Sequence, residues 1–334
     1  MNVIIEFLLL TTVIIISSYL LSSCIVAIEQ NTKLSAGIVG AIILPIVTSL
    51  PEMISAFFSS SISDVKYATY NMLGSNTLTQ TALVFSFIVF SKREIYKKFS
   101  KTNKDTTKLL IALSIWITLP IFIKALHFKV LGSSIQLLVF LIAYIIYMKK
   151  TSSVQSESEY EQKINLNKKQ AIIGFFIFAV ILVLAAMRML TTVEIMAQPG
   201  TFKNFNLSAS LVGTLFLSIA TTLPEVLTYY WIVRLNAPSI AINGILGSDL
   251  FNIAILSVAD IFVIKDSAFG FVYNQSLSSL IVRKFLFLAP AYGIMLWLVS
   301  KDRKYNKTYS IMIAIATMVL FAWSFKVFYL FICY

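Results

Sequence analysis

Apolar residues dominate the chain in runs of about 20, broken by short polar segments. A run of that length is what a helix needs to cross the hydrocarbon core. Ten such segments are expected, at 3–27, 37–62, 66–91, 109–126, 130–148, 170–190, 207–233, 238–264, 277–300 and 309–332. Two of them are interrupted in the same way. Segment two contains Thr48-Ser49-Leu50-Pro51-Glu52, and segment seven contains Thr221-Thr222-Leu223-Pro224-Glu225. Segments three and eight carry a second matched pair, Gly74-Ser75 and Gly247-Ser248. Every matched pair is separated by 173 residues. One separation shared by two motifs marks an internal duplication, and matched interruptions in apolar segments point to a transporter's binding site. The expected fold is an all-α polytopic membrane protein of about ten transmembrane helices in two five-helix repeats. The first repeat covers 1–148, with motifs at 48–52 and 71–79. The second covers 170–334, with motifs at 221–225 and 244–252. The polar stretch 149–169 links them as a flexible linker.

Composition agrees with the pattern. The 334 residues are 58% hydrophobic and 13% charged, against roughly 25% charged in soluble domains, and the mean hydropathy is +0.85. The net charge of +12 does not signal nucleic acid, because the basic residues sit between apolar runs, as on a cytoplasmic membrane face. The segment Ser91 to Lys108 reads as one strongly basic loop. Loops after odd-numbered segments hold 18 of the 27 Lys and Arg, and the other side holds 9. The richer side is expected in the cytoplasm, with the 149–169 linker inside, both termini outside and the plasma (inner) membrane as the location. Five crossings separate the two motif helices, so the repeats are inverted relative to each other. That is the architecture of alternating access. Leu20 to Cys24 resembles a lipoprotein cleavage site, but no basic residue precedes the apolar stretch, so a retained helix is expected. Cys24 and Cys333 make no disulfide framework, and one histidine, His127, is too few for a zinc site. No enzyme motif such as His-Glu-x-x-His occurs.

The candidate chemistry lies in the interruptions. An ionised carboxylate in the hydrocarbon region costs at least about 2.5 kcal/mol, and segments two, three, seven and eight hold almost no Lys or Arg to offset it. Lys66 and Arg234 sit at segment ends. Glu52 and Glu225 brought together make a site of formal charge −2, which suits a hard divalent ion such as Ca²⁺. Pro51 and Pro224 cannot donate to the carbonyls of Val47 and Ala220, so those oxygens are available to an ion. Thr48, Ser49, Thr221 and Thr222 add hydroxyls on the preceding turn. Ser75 and Ser248 add hydroxyls from the neighbouring helix, where Gly74 and Gly247 permit close approach. Thr79 and Asn252 lie one helical turn beyond those serines. Asp249 is either additional charge near the site or a helix cap. Asp260 and Glu6 read as interfacial.

These residues resemble the calcium/cation antiporter superfamily, the sodium/calcium-exchanger-like proteins. The likeness rests on the two Thr-Ser/Thr-Leu-Pro-Glu helices, on Asn71-Met72-Leu73-Gly74-Ser75-Asn76 and on Gly247-Ser248-Asp249. It extends through the ten-segment plan to essentially the whole chain. It implies Glu52 and Glu225 as central calcium ligands, with Thr48 and Thr221 assisting. It implies Ser49, Thr222, Ser75 and Ser248 in flanking sodium sites, and segments one and six as a sliding pair that gates access. No cofactor is implied; the partners are Ca²⁺, a monovalent counter-ion and the bilayer. The chain departs from the pattern at Val47 and Ala220, where glycine is usual. It departs again at Gly244, with Asn243 one residue early, at Asp249, which stands where Asn is usual, and at Asn252, where some members have Asp. Thr79 stands where sodium exchangers often have Asn. The expectation is Ca²⁺/Na⁺ antiport, with H⁺ as the alternative counter-ion and a non-transporting scaffold or sensor as the alternative from another class. Manganese and potassium stay open as substrate or co-ion.

Overall fold

A computed structural model describes residues 3–32, 34–57, 62–89, 101–126, 128–130, 133–152, 164–196, 217–262, 286–294 and 315–322. The first segment is one helix, α1 (Val3–Asn31). The second is broken into α2 (Ala36–Ile38), a π-helical turn Val39–Ile43, α3 (Leu44–Thr48) and α4 (Leu50–Phe57). Then come α5 (Ile62–Val89), α6 (Lys101–Phe122), a small hairpin of β1 (Lys129–Val130) and β2 (Ser133–Ser134), and α7 (Ile135–Ser152). The second half holds α8 (Lys168–Met196), α9 (Leu217–Arg234) and α10 (Pro238–Phe262). Residues 286–294 and 315–322 are helical as well. The described residues are therefore helical apart from one hairpin and short connections, and each of the ten expected segments contains helix. Four helices among the described residues are long and apolar enough to cross a membrane: Val3–Asn31, Asn103–Phe122, Lys168–Val193 and Pro238–Ile261. A 29-residue helix such as α1 spans about 43 Å at 1.5 Å per residue, more than a bilayer core. The outward residues are apolar too: Phe176, Val180 and Leu184 line one exposed stripe of α8 at four-residue spacing.

Two boundaries differ from expectation. Helix α6 begins at Lys101, inside the stretch expected to be loop. Asn103, Thr106 and Thr107 on its first turns are buried, and the Thr107 hydroxyl donates to the Asn103 carbonyl at 2.8 Å. Polar side chains bonded within the helix let it start before its apolar stretch. Segment five begins with the hairpin rather than with helix. Its Ser133 hydroxyl and Ser134 N–H donate to the carboxylate of Asp260 at 2.5 and 3.1 Å. Asp260 is thus buried, close to the end of α10. Residues 90–100, His127, the linker centre 153–163, Pro199-Gly200 and Cys333 lie outside the described residues.

The helices group into two compact units. The first comprises Met1–Ile54 and Lys150–Ser248, the second Ser55–Lys149 and Asp249–Tyr334. In the first unit α1 packs along α8 and α9. The α1–α8 pair is antiparallel. Near the start of α1, the Arg188 Nε of α8 donates to Glu6 Oε1 at 2.6 Å. At the end of α1, Asn31 Nδ2 donates to the Leu166 carbonyl at 3.0 Å and Gln30 Oε1 accepts from the Ile164 N–H. The last residues of the linker are therefore tied to α1. Helix α8 starts on a reciprocal cap, in which the Gln170 N–H donates to Asn167 Oδ1 and the Asn167 N–H donates to Gln170 Oε1. Helix α9 ends in a left-handed Asn236, φ 62°. There the N–H of Ala237 reaches the Ile232 carbonyl and that of Asn236 reaches Val233, a Schellman ending. Pro238 then opens α10 with its missing N–H where none is needed.

Candidate functional site

The first motif sits at a helix break. Proline at position 51 removes one rung of the ladder, and Ser49 leaves the helix at φ −99°, ψ 12°. The Ser49 N–H donates to the Pro45 carbonyl at 2.9 Å. The second motif stays within one continuous helix, α9, with Pro224 inside it. The two repeats therefore present the same five-residue motif on different backbones.

Close backbone packing brings the motifs to α10. A Cβ on Gly247 would lie 2.5 Å from the Ala41 carbonyl oxygen, and one on Gly40 would lie 2.4 Å from the Ile240 carbonyl oxygen. Both distances are prohibitive for any side chain, so the 39–43 turn and α10 cross in backbone contact. One residue beyond Gly247, the hydroxyls of Ser248 and Ser49 are 3.0 Å apart. Ser49 Oγ also donates to Glu225 Oε1 at 3.1 Å. A hydroxyl has one hydrogen, so Ser248 donates to Ser49 and Ser49 passes its own hydrogen to Glu225.

Glu225 is near enough to Glu52 to act on it through its charge, and Thr221 lies close to the Glu52 carboxylate. Glu225 takes a hydroxyl from the opposite repeat through Ser49. Glu52 and Glu225 are each 1% exposed, and Thr48, Ser49, Thr221, Thr222 and Ser248 are buried with them in the first unit. Thr48 spends its hydrogen on the Leu44 carbonyl, one turn back, at 3.1 Å, which leaves only its oxygen lone pairs for any ligand.

Ser75, Thr79 and Asn252 belong to the second unit and are also buried. Around them is a network that the sequence reading did not single out. Its centre is Asp249, which is not a helix cap but lies within α10. Thr79 Oγ1 donates to Asp249 Oδ1 at 2.8 Å, and the Tyr292 hydroxyl donates to Oδ2 at 2.8 Å. Gln80 Nε2 donates to Oδ2 as well. Asn76 Nδ2 donates to the Asp249 backbone carbonyl at 3.0 Å, and Asn252 Nδ2 donates to Asn76 Oδ1 at 2.9 Å. Asn76 and Asp249 stand 173 residues apart, so they are repeat mates, as are Thr79 and Asn252. The bonds Thr79 to Asp249 and Asn252 to Asn76 are thus one contact repeated by the internal symmetry. The legible signal was the polar stripe Asn76, Thr79, Gln80, at three- and four-residue spacing in an apolar helix. Tyr292 carried no such signal.

Among the described residues, each unit brings together oxygen donors, carboxylates and hydroxyls in the first and a carboxylate, hydroxyls and amides in the second, the donor type that hard cations take. Comparison with curated protein sequences returned no match. Solved structures of the sodium-calcium exchanger NCX_Mj share the fold. The form soaked with zero Na⁺ and Ca²⁺ superposes with a TM-score of 0.69 at 16% identity, covering 96% of this chain and 98% of that one. The form soaked with 100 mM Na⁺ and 10 mM Sr²⁺ gives 0.66 at 15% identity with the same coverage. The family described as sodium/calcium exchanger protein matches residues 2–149 and 170–331, both repeats and almost the whole chain. The chain belongs to the sodium/calcium exchanger family.

Proposed function

We propose that this protein is a secondary antiporter that exchanges Ca²⁺ for Na⁺ by alternating access. The observation that carries the reading is the carboxylate pair. Glu52 and Glu225 come from opposite repeats, are fully enclosed, and act on each other through their charge. Two enclosed carboxylates repel unless a cation lies between them, and a divalent ion cancels a formal charge of −2. Thr48 and Thr221 assist through oxygen atoms, and Ser49, Thr222, Ser248 and, in the second unit, Ser75, Thr79 and Asn252 supply oxygens for monovalent ions.

The coupling follows from the cost of charge in lipid. An empty −2 site resists passage through the low-dielectric barrier, so the carrier switches faces only when Ca²⁺ or its monovalent competitors neutralise it. Helices α1 and α8 serve as the gating pair; their length, their antiparallel packing and their few acidic residues fit that role. The 149–169 linker faces the cytoplasm and both termini face out.

The test is ⁴⁵Ca²⁺ uptake into proteoliposomes with an imposed Na⁺ gradient. Uptake should follow the gradient and vanish in Glu52→Gln with Glu225→Gln. Uptake that ignores the gradient, or survives the double substitution, contradicts the proposal. A second reading has H⁺ as the counter-ion. It is favoured by Asn252, which withholds a titratable carboxylate that some members of the family have at this place. A pH gradient without Na⁺ separates the two.

A further inference from the structure

One turn away from the site residues, three helices of the first unit meet a second time. Tyr229 follows Glu225 by four residues on α9, Leu44 precedes Thr48 by four on α3, and Gly244 precedes Ser248 by four on α10. Four residues make one turn and about 6 Å of helix axis, and residues so spaced share a face. A Cβ on Gly244 would lie 2.5 Å from Tyr229 Cε1 and 3.3 Å from Leu44 Cδ2. The three residues therefore meet at one point, and the Tyr229 ring edge fills the place that a side chain at 244 would need.

The next residue on α9 is placed differently. Tyr230 is 39% exposed and meets Trp231 edge-on, with ring centroids 5.1 Å apart. Tyr229 is 3% exposed and Leu44 is fully enclosed. The atoms that face Gly244 are the ring carbons Cε1 and Cδ1 and a leucine methyl. Such a layer gives an ion no oxygen in exchange for its water, and an apolar constriction excludes water as well. It stands one turn from the enclosed carboxylate of Glu225. The residues 173 positions before Tyr229 and Gly244 are Ala56 and Asn71, so the first repeat does not carry this pairing of ring and glycine.

We propose that Tyr229, seated on Gly244, closes one end of the glutamate site to water and ions, and leaves the glycine notch when an ion passes that way. Tyr229 is an occluding residue and not a ligand. The closure is one-sided, because only the second repeat supplies it. This rests on the reading of Glu52 and Glu225 as the ion site. It deepens that reading by naming what shuts the site on the side of the Arg234 end of α9.

The experiment is thiol labelling of the full-length protein in membrane vesicles, with Cys24→Ser and Cys333→Ser as background and Ser248→Cys as reporter. A membrane-impermeant cationic methanethiosulfonate is applied to each face in turn. Tyr229→Ala should speed labelling from one face only, by about tenfold or more, the scale of one buried aromatic side chain. Gly244→Ala should do the same, since the ring cannot stay 2.5 Å from a Cβ, and combining it with Tyr229→Ala should add little. Tyr229→Phe keeps the ring carbons and should label as slowly as the background. Background rates in Tyr229→Ala from both faces overturn the proposal. Equal acceleration from both faces also overturns it, because that is general loosening of the fold. Fast labelling in Tyr229→Phe does so too, by tracing the effect to the hydroxyl. Should Tyr229→Ala fail to fold, Tyr229→Leu, which removes the ring and keeps an apolar side chain, decides by the same rates. One-sided acceleration in a protein without Ca²⁺ flux would leave the closure standing and remove the exchange reading. Na⁺-driven flux with no acceleration would do the reverse.

Discussion

Ser49 joins the two repeats through two hydrogen bonds. Its hydroxyl takes a hydrogen from Ser248 and gives its own to Glu225. A hydrogen bond to a charged group contributes about 1.5–3 kcal/mol, and here it also fixes which way the carboxylate faces. Ser49→Ala should therefore weaken Ca²⁺ binding by about tenfold or more, measured by calorimetric titration of the detergent-solubilised protein. An unchanged dissociation constant would show that Glu225 is held by other groups. Thr48 belongs to a different class. Its hydroxyl is bonded back to its own helix, so Thr48→Val should cost less than Ser49→Ala in the same titration. At this scale the paired motifs with their glutamates and hydroxyls were legible, because a carboxylate beside proline in an apolar run has few structural explanations; the bond from Ser49 to Glu225 was not. Nor was the network around Asp249. Its partners lie 170, 169 and 43 residues away, and no local pattern joins Tyr292 to it.

Among the elements, the crossing of the 39–43 turn with α10 decides whether the site can assemble. Gly40 and Gly247 leave room only for hydrogen at that crossing. Overpacking of an enclosed contact costs about 1–3 kcal/mol. Gly247→Ala should lower thermal stability by that order and reduce Ca²⁺ binding, because Ser248 moves with it. A variant with wild-type melting and binding would mean that the helices separate freely. The ion pair of Arg188 with Glu6 marks the opposite extreme. The Arg188 side chain is 55% exposed, and pairs of that kind contribute less than about 1 kcal/mol. Arg188→Gln should leave both melting and flux nearly unchanged. Helix positions were legible from the apolar runs, and Gly247 was recognisable as a packing residue. The π-helical turn was not, since Val39-Gly40-Ala41-Ile42-Ile43 reads as ordinary helix. The early start of α6 was hidden for the opposite reason. Its first turns are polar in composition but enclosed in the fold, and polarity alone reads as loop.

For the whole molecule, the duplication is the organising fact. Two copies of one sequence plan, 173 residues apart, account for the matched motifs and for the repeat-mated hydrogen bonds in the second unit. Family membership and the fold shared with NCX_Mj agree with that plan, which was legible from a single 173-residue separation. From the basic-residue count we propose that the 149–169 linker lies in the cytoplasm. With Cys333 replaced by serine, a Ser156→Cys variant in intact cells should resist a membrane-impermeant thiol reagent and react after permeabilisation; reaction in intact cells would invert the orientation. The central claim is narrower than topology: one Ca²⁺ is shared by Glu52 and Glu225. It is tested most directly by a double-mutant cycle on Ca²⁺ binding with Glu52→Gln, Glu225→Gln and both together. If the two carboxylates hold one ion, either single substitution loses nearly as much affinity as the pair, and the effects do not add. Losses that sum independently, or binding that persists when both are gone, would contradict it.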